Sequence, residues 1–220
     1  MRFFAADKIH NGYSFLPQDS VLILDDDGIV QDIKPLGEID QTKIEFHKGI
    51  VCPGFVNVHC HLELSYMKGK IAEGKGLHDF IKEVEKLKKP ADDELLSAIE
   101  NADAEMYAGG IVAVGDICNT NSTFAFKQRS KIKYHNFIEI FGFDAAKADS
   151  AFGWGLKLAA ELEVLGLKNY SITPHAPYSA SAQLLNKISD HAWQTNSYSV
   201  FITRKTKMRI YCFRIKAEKF

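Results

Sequence analysis

The sequence predicts an α/β protein: the N-terminal portion of a (β/α)8 barrel, preceded by a small β unit. Three observations predict it. Before Pro53 the 220-residue chain reads as short strands and turns. After Pro53, apolar strands alternate with helical stretches, the pattern of parallel strands covered by helices. Polar groups stand at or near the ends of four such strands, at His59, Asp116, Glu139 and His175. In a (β/α)8 barrel the C-terminal ends of the strands build the active site.

The first 52 residues start with Val21–Leu24, a strand closed by an Asp25-Asp26-Asp27-Gly28 turn and followed by Ile29–Ile33. Lys43–Phe46 alternates, and Gly49–Cys52 leads into Pro53. Phe55–His59 is then a buried strand, followed by a loop with Gly69, Gly74 and Gly76. Helical patterns cover Leu77–Lys88 and Asp92–Ala108, the second opening on acids and stopping at Gly109-Gly110. Ile111–Ile117 is an apolar strand, a short helix precedes Lys133–Phe143, and Ala145–Leu165 is helical. Tyr170–Thr173 is a strand opening into Pro174-His175-Ala176-Pro177-Tyr178-Ser179. Ser181–Gln194 is a helix capped by Ser179 or Ser181. The expected domains are a β unit at 1–52, half a barrel at 53–197 and an aberrant tail at 198–220.

Composition narrows the partners. Net charge is −1, which favours neither nucleic acid nor an anionic membrane. No run of about 18 apolar residues suggests a membrane span, and residues 1–7 lack the apolar core of a signal peptide. The four cysteines form no C-x-x-C pair, so a reducing cytoplasm is the expected location. A small-molecule substrate is expected, and homo-oligomerisation stays open.

The stretch Pro53-Gly54-Phe55-Val56-Asn57-Val58-His59-Cys60-His61-Leu62-Glu63 carries the chemistry. Alternate strand residues point the same way, so His59 and His61 share one side and Cys60 faces the other. Two converging imidazoles suit a divalent metal, although such a pair also occurs as ordinary histidines of a half-buried strand. Glu63 would share their side if the strand continued, to touch substrate or to orient a ligand histidine. A surface role for it is equally open. Asp116 and Asn119 fit a turn, a cap or support of a ligand, and Cys60 and Cys118 fit packing. A structural metal site from His59, His61, Cys52 and Cys60 is disfavoured, because four ligands within ten residues of one strand cannot easily wrap a tetrahedron.

With these motifs and the Pro174–Ser179 segment, residues 1–197 resemble the amidohydrolase superfamily, in the branch of chlorohydrolases and cytosine-, guanine- and adenosine-type deaminases. The resemblance implies a TIM barrel behind a sandwich-like β unit. It implies that His59 and His61 bind a catalytic metal, Zn²⁺ first and Fe²⁺ second, and that His175 contacts substrate. The implied activity is hydrolysis of a C–N bond by metal-activated water, as in deamination of a heterocyclic amine or amidine. The family pattern also requires a His and a Glu in an H-x-x-E segment on strand five, and an Asp on strand eight. Neither is found here, and His191, the last histidine, falls within a helical pattern. One departure bears on substrate: where adenosine-type members carry a purine-contacting Glu, this chain reads Glu85-Lys86-Leu87-Lys88-Lys89-Pro90. Adenosine is therefore not assigned.

Residues 198–220 differ from the rest. They hold seven Lys/Arg and one acid, a net +6 against −7 for residues 1–197, and show no helical or strand period. Back-translation with a shifted frame from Tyr198 permits Leu-Ser-Val-His-Asn-Gln-Glu, which contains H-x-x-E. The expectation is a reading frame lost near Ser197–Tyr198. The alternative function is a catalytically inactive fragment or pseudoenzyme lacking the later ligands, with an exposed barrel edge prone to aggregation.

Overall fold

The computed structural model describes residues 1–74, 76–202 and 210–213. The chain divides into two compact units, Met1–Gly54 and Phe55–Phe220.

The first unit is a four-stranded sheet. Its strands are β1 (Arg2–Ile9), β2 (Ser20–Leu24), β3 (Val30–Pro35) and β4 (Ile44–Val51), in the order β3-β2-β1-β4. β2 and β3 form the expected antiparallel hairpin. The Asp25 carboxylate accepts from the amides of Asp27 and Ile29, and Gly28 takes φ 80°, the left-handed conformation that glycine adopts without a steric cost. β1 runs antiparallel to β2 and parallel to β4. Three expectations change here. Arg2–Ile9 is a full strand although its sequence does not alternate, because apolar Phe3–Ala6 is followed by charged Asp7 and Lys8. Lys43–Phe46 and Gly49–Cys52 merge into the single strand β4. The described residues of this unit make one sheet, so the second layer of a sandwich is not found among them.

In the second unit, strands β5 (Phe55–Cys60), β6 (Ile111–Cys118), β7 (Lys133–Ile140) and β8 (Tyr170–Pro174) lie side by side in chain order, all parallel. Between them come helices α1 (Gly76–Lys86), α2 (Asp92–Ala108), α3 (Phe124–Lys127) and α4 (Ala148–Val164), and α5 (Ala182–Thr195) follows β8. These are the four βα units expected of a half-barrel. The observed sheet is open, and β5 pairs only with β6 among the described residues. Val56 and Val58 on β5 are 60% and 57% exposed, as befits an edge strand.

Two apolar clusters fix the helices on the sheet. Ile138, Ile140 and Ile172 from β7 and β8 pack with Leu158 and Leu162 of α4 and Leu184 and Ile188 of α5. Leu62, Val114, Ile132 and Tyr134 pack with Leu95 and Ile99 of α2. Gly155 lets α4 approach closely, since a Cβ there would stand 3.3 Å from Ile140 and Ile172. The acids Asp92, Asp93 and Glu94 face the positive end of the α2 dipole. Of the two candidate caps for α5, Ser181 is the one used, its hydroxyl accepting from the Leu184 amide at 3.3 Å.

Part of the tail is described, and it is extended. β9 (Ser199–Ile202) pairs antiparallel with β10 (Ile210–Phe213), so strands form where no period was legible. The Val200 amide donates to Thr173 Oγ1 at 2.9 Å, bringing β9 against β8. The rest of the tail expectation falls outside the described residues. No described helix is long and apolar enough to cross a membrane.

Candidate metal and substrate site

Parallel register brings the strand ends together. Cys60 stands beside Asp116, Asp116 beside Asn136, Glu139 beside Thr173 and Ile140 beside Pro174. The C-terminal edge of the sheet therefore gathers His59 and His61, Asp116, Glu139 and His175.

The two histidines adjoin, with ring centroids 5.1 Å apart in an edge-to-face arrangement. β5 ends at Cys60, and His61 lies at its mouth, just before a 3₁₀ segment at Leu62–Met67. His61 Nδ1 is buried and has no hydrogen-bond partner among the described residues. A buried polar nitrogen without a partner is costly, and a metal ion is one group that would satisfy it. Burial lowers the pKa of His61, and His59 nearby adds to this, so the ring stays neutral, the form that binds a metal. Glu139 and Asp116 oppose this lowering, and His175 adds to it.

His59 and His61 offer two donors of a kind that suits a divalent metal. Among the described residues no group of three or more His, Cys, Asp or Glu side chains is arranged to hold a metal. Burial, with Asp116 nearby, pushes the Cys60 thiol up to about 12.

Glu63 lies beyond the end of the strand. Since the strand ends at Cys60, Glu63 sits in the 3₁₀ segment and is buried. Its carboxylate accepts from the amides of Asn119 and Thr120 at 3.1 Å each, and from Thr120 Oγ1 at 2.8 Å. It holds the loop after β6, and burial raises its pKa against those hydrogen bonds. Asn119, the anchored residue, donates its side-chain amide to Glu139 Oε2 at 3.1 Å.

His175 Nδ1 lies 2.8 Å from Glu139 Oε1. The carboxylate accepts, so the shared proton is on Nδ1. Burial alone would raise the pKa of Glu139. The hydrogen bond from His175 and its charge, with Asn119, more than reverse this and lower it. Glu139 was not assigned a role from the sequence, although a lone acid between Ile138 and Ile140 at a strand end was the available signal.

Beneath this edge lies a buried ion pair that the sequence did not reveal. Lys127 of α3 and Asp116 of β6 are both fully inaccessible at their side chains and meet at 2.6 Å. Burial disfavours the Lys127 ammonium, but Cys118 and Asp116 beside it raise its pKa above the ordinary value.

No protein-family model and no curated protein sequence matches this chain. Solved structures do match its fold. An aminofutalosine deaminase from Helicobacter pylori, in complex with methylthio-coformycin, superposes with TM-score 0.74 at 19% identity, over 92% of this chain and 51% of that one. An adenosine deaminase from Xanthomonas campestris with bound zinc gives 0.69 at 18% identity, over 91% and 48%. Atrazine chlorohydrolase from Arthrobacter aurescens, complexed with zinc, gives 0.68 at 13% identity, over 91% and 52%. The chain spans about half the length of the structures it matches. Identities this low carry the fold alone.

Proposed function

We propose that this chain is the N-terminal part of a metal-dependent amidohydrolase that hydrolyses a C–N bond, in deamination of a heterocyclic amine or amidine. The observation that carries it is the adjoining His59–His61 pair, whose buried His61 Nδ1 has no partner among the described residues. Zinc in two of the matched structures supports a divalent metal, with Zn²⁺ ahead of Fe²⁺.

His59 and His61 would hold the metal. When bound, it supplies Lewis acidity that brings the pKa of a water ligand to about 7. The chain's own residues do the rest of the local work. Glu139 binds His175 through Nδ1, which leaves Nε2 to meet the substrate. Glu63 and Asn119 fix the loop beside them.

A second reading is favoured by the absence of a three-donor cluster among the described residues. In it, the 220-residue chain is a catalytically inactive fragment or pseudoenzyme of that kind, with the frame change at Ser197–Tyr198 as its origin. Metal analysis and an ammonia-release assay on the 220-residue chain separate the two. Weak metal binding without turnover supports the fragment, and tight stoichiometric zinc with turnover overturns it. The nucleotide sequence past codon 197 tests the frame change, which a stop codon in the shifted frame, or no His-x-x-Glu there, would sink.

A further inference from the structure

We infer that Asp116, clamped by the buried ammonium of Lys127, is the positioning residue for His61, acting through the backbone amide of Leu62. The reading rests on His59 and His61 forming a metal site.

The backbone ladder lapses where the histidines lie. Pairing of β5 with β6 loses register between Asn57 and Cys60, and β5 ends there. The next tie is a side chain. Asp116 Oδ1 accepts from the Leu62 amide at 2.7 Å, one residue after His61. Asp116 Oδ2 accepts from Lys127 Nζ at 2.6 Å.

Lys127 in turn is completely used. An ammonium has three donors. They meet Asp116 Oδ2 at 2.6 Å, Asn136 Oδ1 at 2.6 Å and Cys118 Sγ at 3.3 Å. The Asn136 side-chain amide then donates to the carbonyl of Asn169 at 3.2 Å. Three elements thus fix the orientation of one carboxylate whose remaining oxygen is spent on the histidine segment. Stability alone does not call for such a pair, since well-packed apolar residues often replace a buried ion pair at no loss. What an apolar pair lacks is an acceptor for Leu62. Groups that orient a ligand histidine typically change metal affinity by about 10- to 100-fold when removed.

Two double variants of the 220-residue chain test this. Asp116→Asn/Lys127→Met removes both charges and keeps an acceptor at position 116. Asp116→Leu/Lys127→Met removes the charges and the acceptor. Readouts are hydrogen-exchange protection of the Leu62 amide, cobalt(II) titration and the thermal midpoint. The Asn/Met variant should keep both the protection and the cobalt affinity of the wild type. The Leu/Met variant should fold, yet lose roughly 10- to 100-fold in cobalt affinity and expose Leu62 to exchange. Retention of both in Leu/Met overturns the inference, because packing of the Leu62 side chain would then suffice. Loss of both in the Asn/Met variant also overturns it. If the wild type binds no cobalt, the metal reading falls, while Leu62 protection still decides the positioning role. If Leu/Met fails to fold, an NMR scalar coupling between the Leu62 amide nitrogen and the Asp116 carboxylate carbon in the wild type decides. Its presence supports the clamp, and its absence overturns it.

Discussion

Glu139 and His175, at the ends of adjacent parallel strands, share a 2.8 Å hydrogen bond that joins the buried acid to a half-exposed ring. Glu139 has its pKa lowered, so its contribution is present above the ordinary glutamate value of about 4.3 and lost as pH falls through its folded value. Urea unfolding of the wild type should therefore weaken from pH 6 to pH 3 in part through this group. Glu139→Gln should cost about 1.5–3 kcal/mol at pH 7 and flatten that part of the profile. An unchanged profile would remove Glu139 as its source.

Glu63 is expected to act on the loop and not on a ligand. Glu63→Gln keeps one acceptor oxygen and loses another from the contacts to Asn119 and Thr120. It should cost about 1–3 kcal/mol. Amide exchange at Asn119 and Thr120 should speed up, and NMR of the histidine rings should show little change at His59.

Lys127→Met alone should be far worse than the paired replacements. It leaves Asp116 buried without its counter-charge. The expected loss is about 3–5 kcal/mol, measured by chemical denaturation.

Gly115→Ala links packing to the site. A Cβ at position 115 would stand 2.9 Å from the Val58 carbonyl oxygen and 2.9 Å from the Phe137 ring. Val58 is backbone one residue before His59, so the strand itself must shift. A loss of about 1–3 kcal/mol is expected, accompanied by weaker cobalt binding.

Much of the parallel sheet with its helices was legible because its signals are local. Apolar strands such as Ile111–Cys118, the Gly109-Gly110 stop and the Ser181 cap each depend on a few adjacent residues. The site was legible only where motif residues are neighbours, as in His59-Cys60-His61. Lys127 was not, because a lysine at the end of a four-residue helix reads as surface, and its burial depends on Asp116 and Asn136 from two other elements. The side that Glu63 takes was open for a related reason. Alternation put it beside the histidines, but the strand stops at Cys60 and a 3₁₀ turn redirects it. The extended tail strands were missed because β9 and β10 pair with one another across seven intervening residues and alternate weakly in sequence.

The most direct test concerns His59 and His61. Zinc titration of the 220-residue chain, followed through the imidazole ¹⁵N resonances of all histidines, reads which rings bind. Saturable shifts at His59 and His61, abolished by His59→Ala and by His61→Ala, are the expected result. Zinc shifts that leave both rings unmoved, or that survive both substitutions, would contradict the assignment.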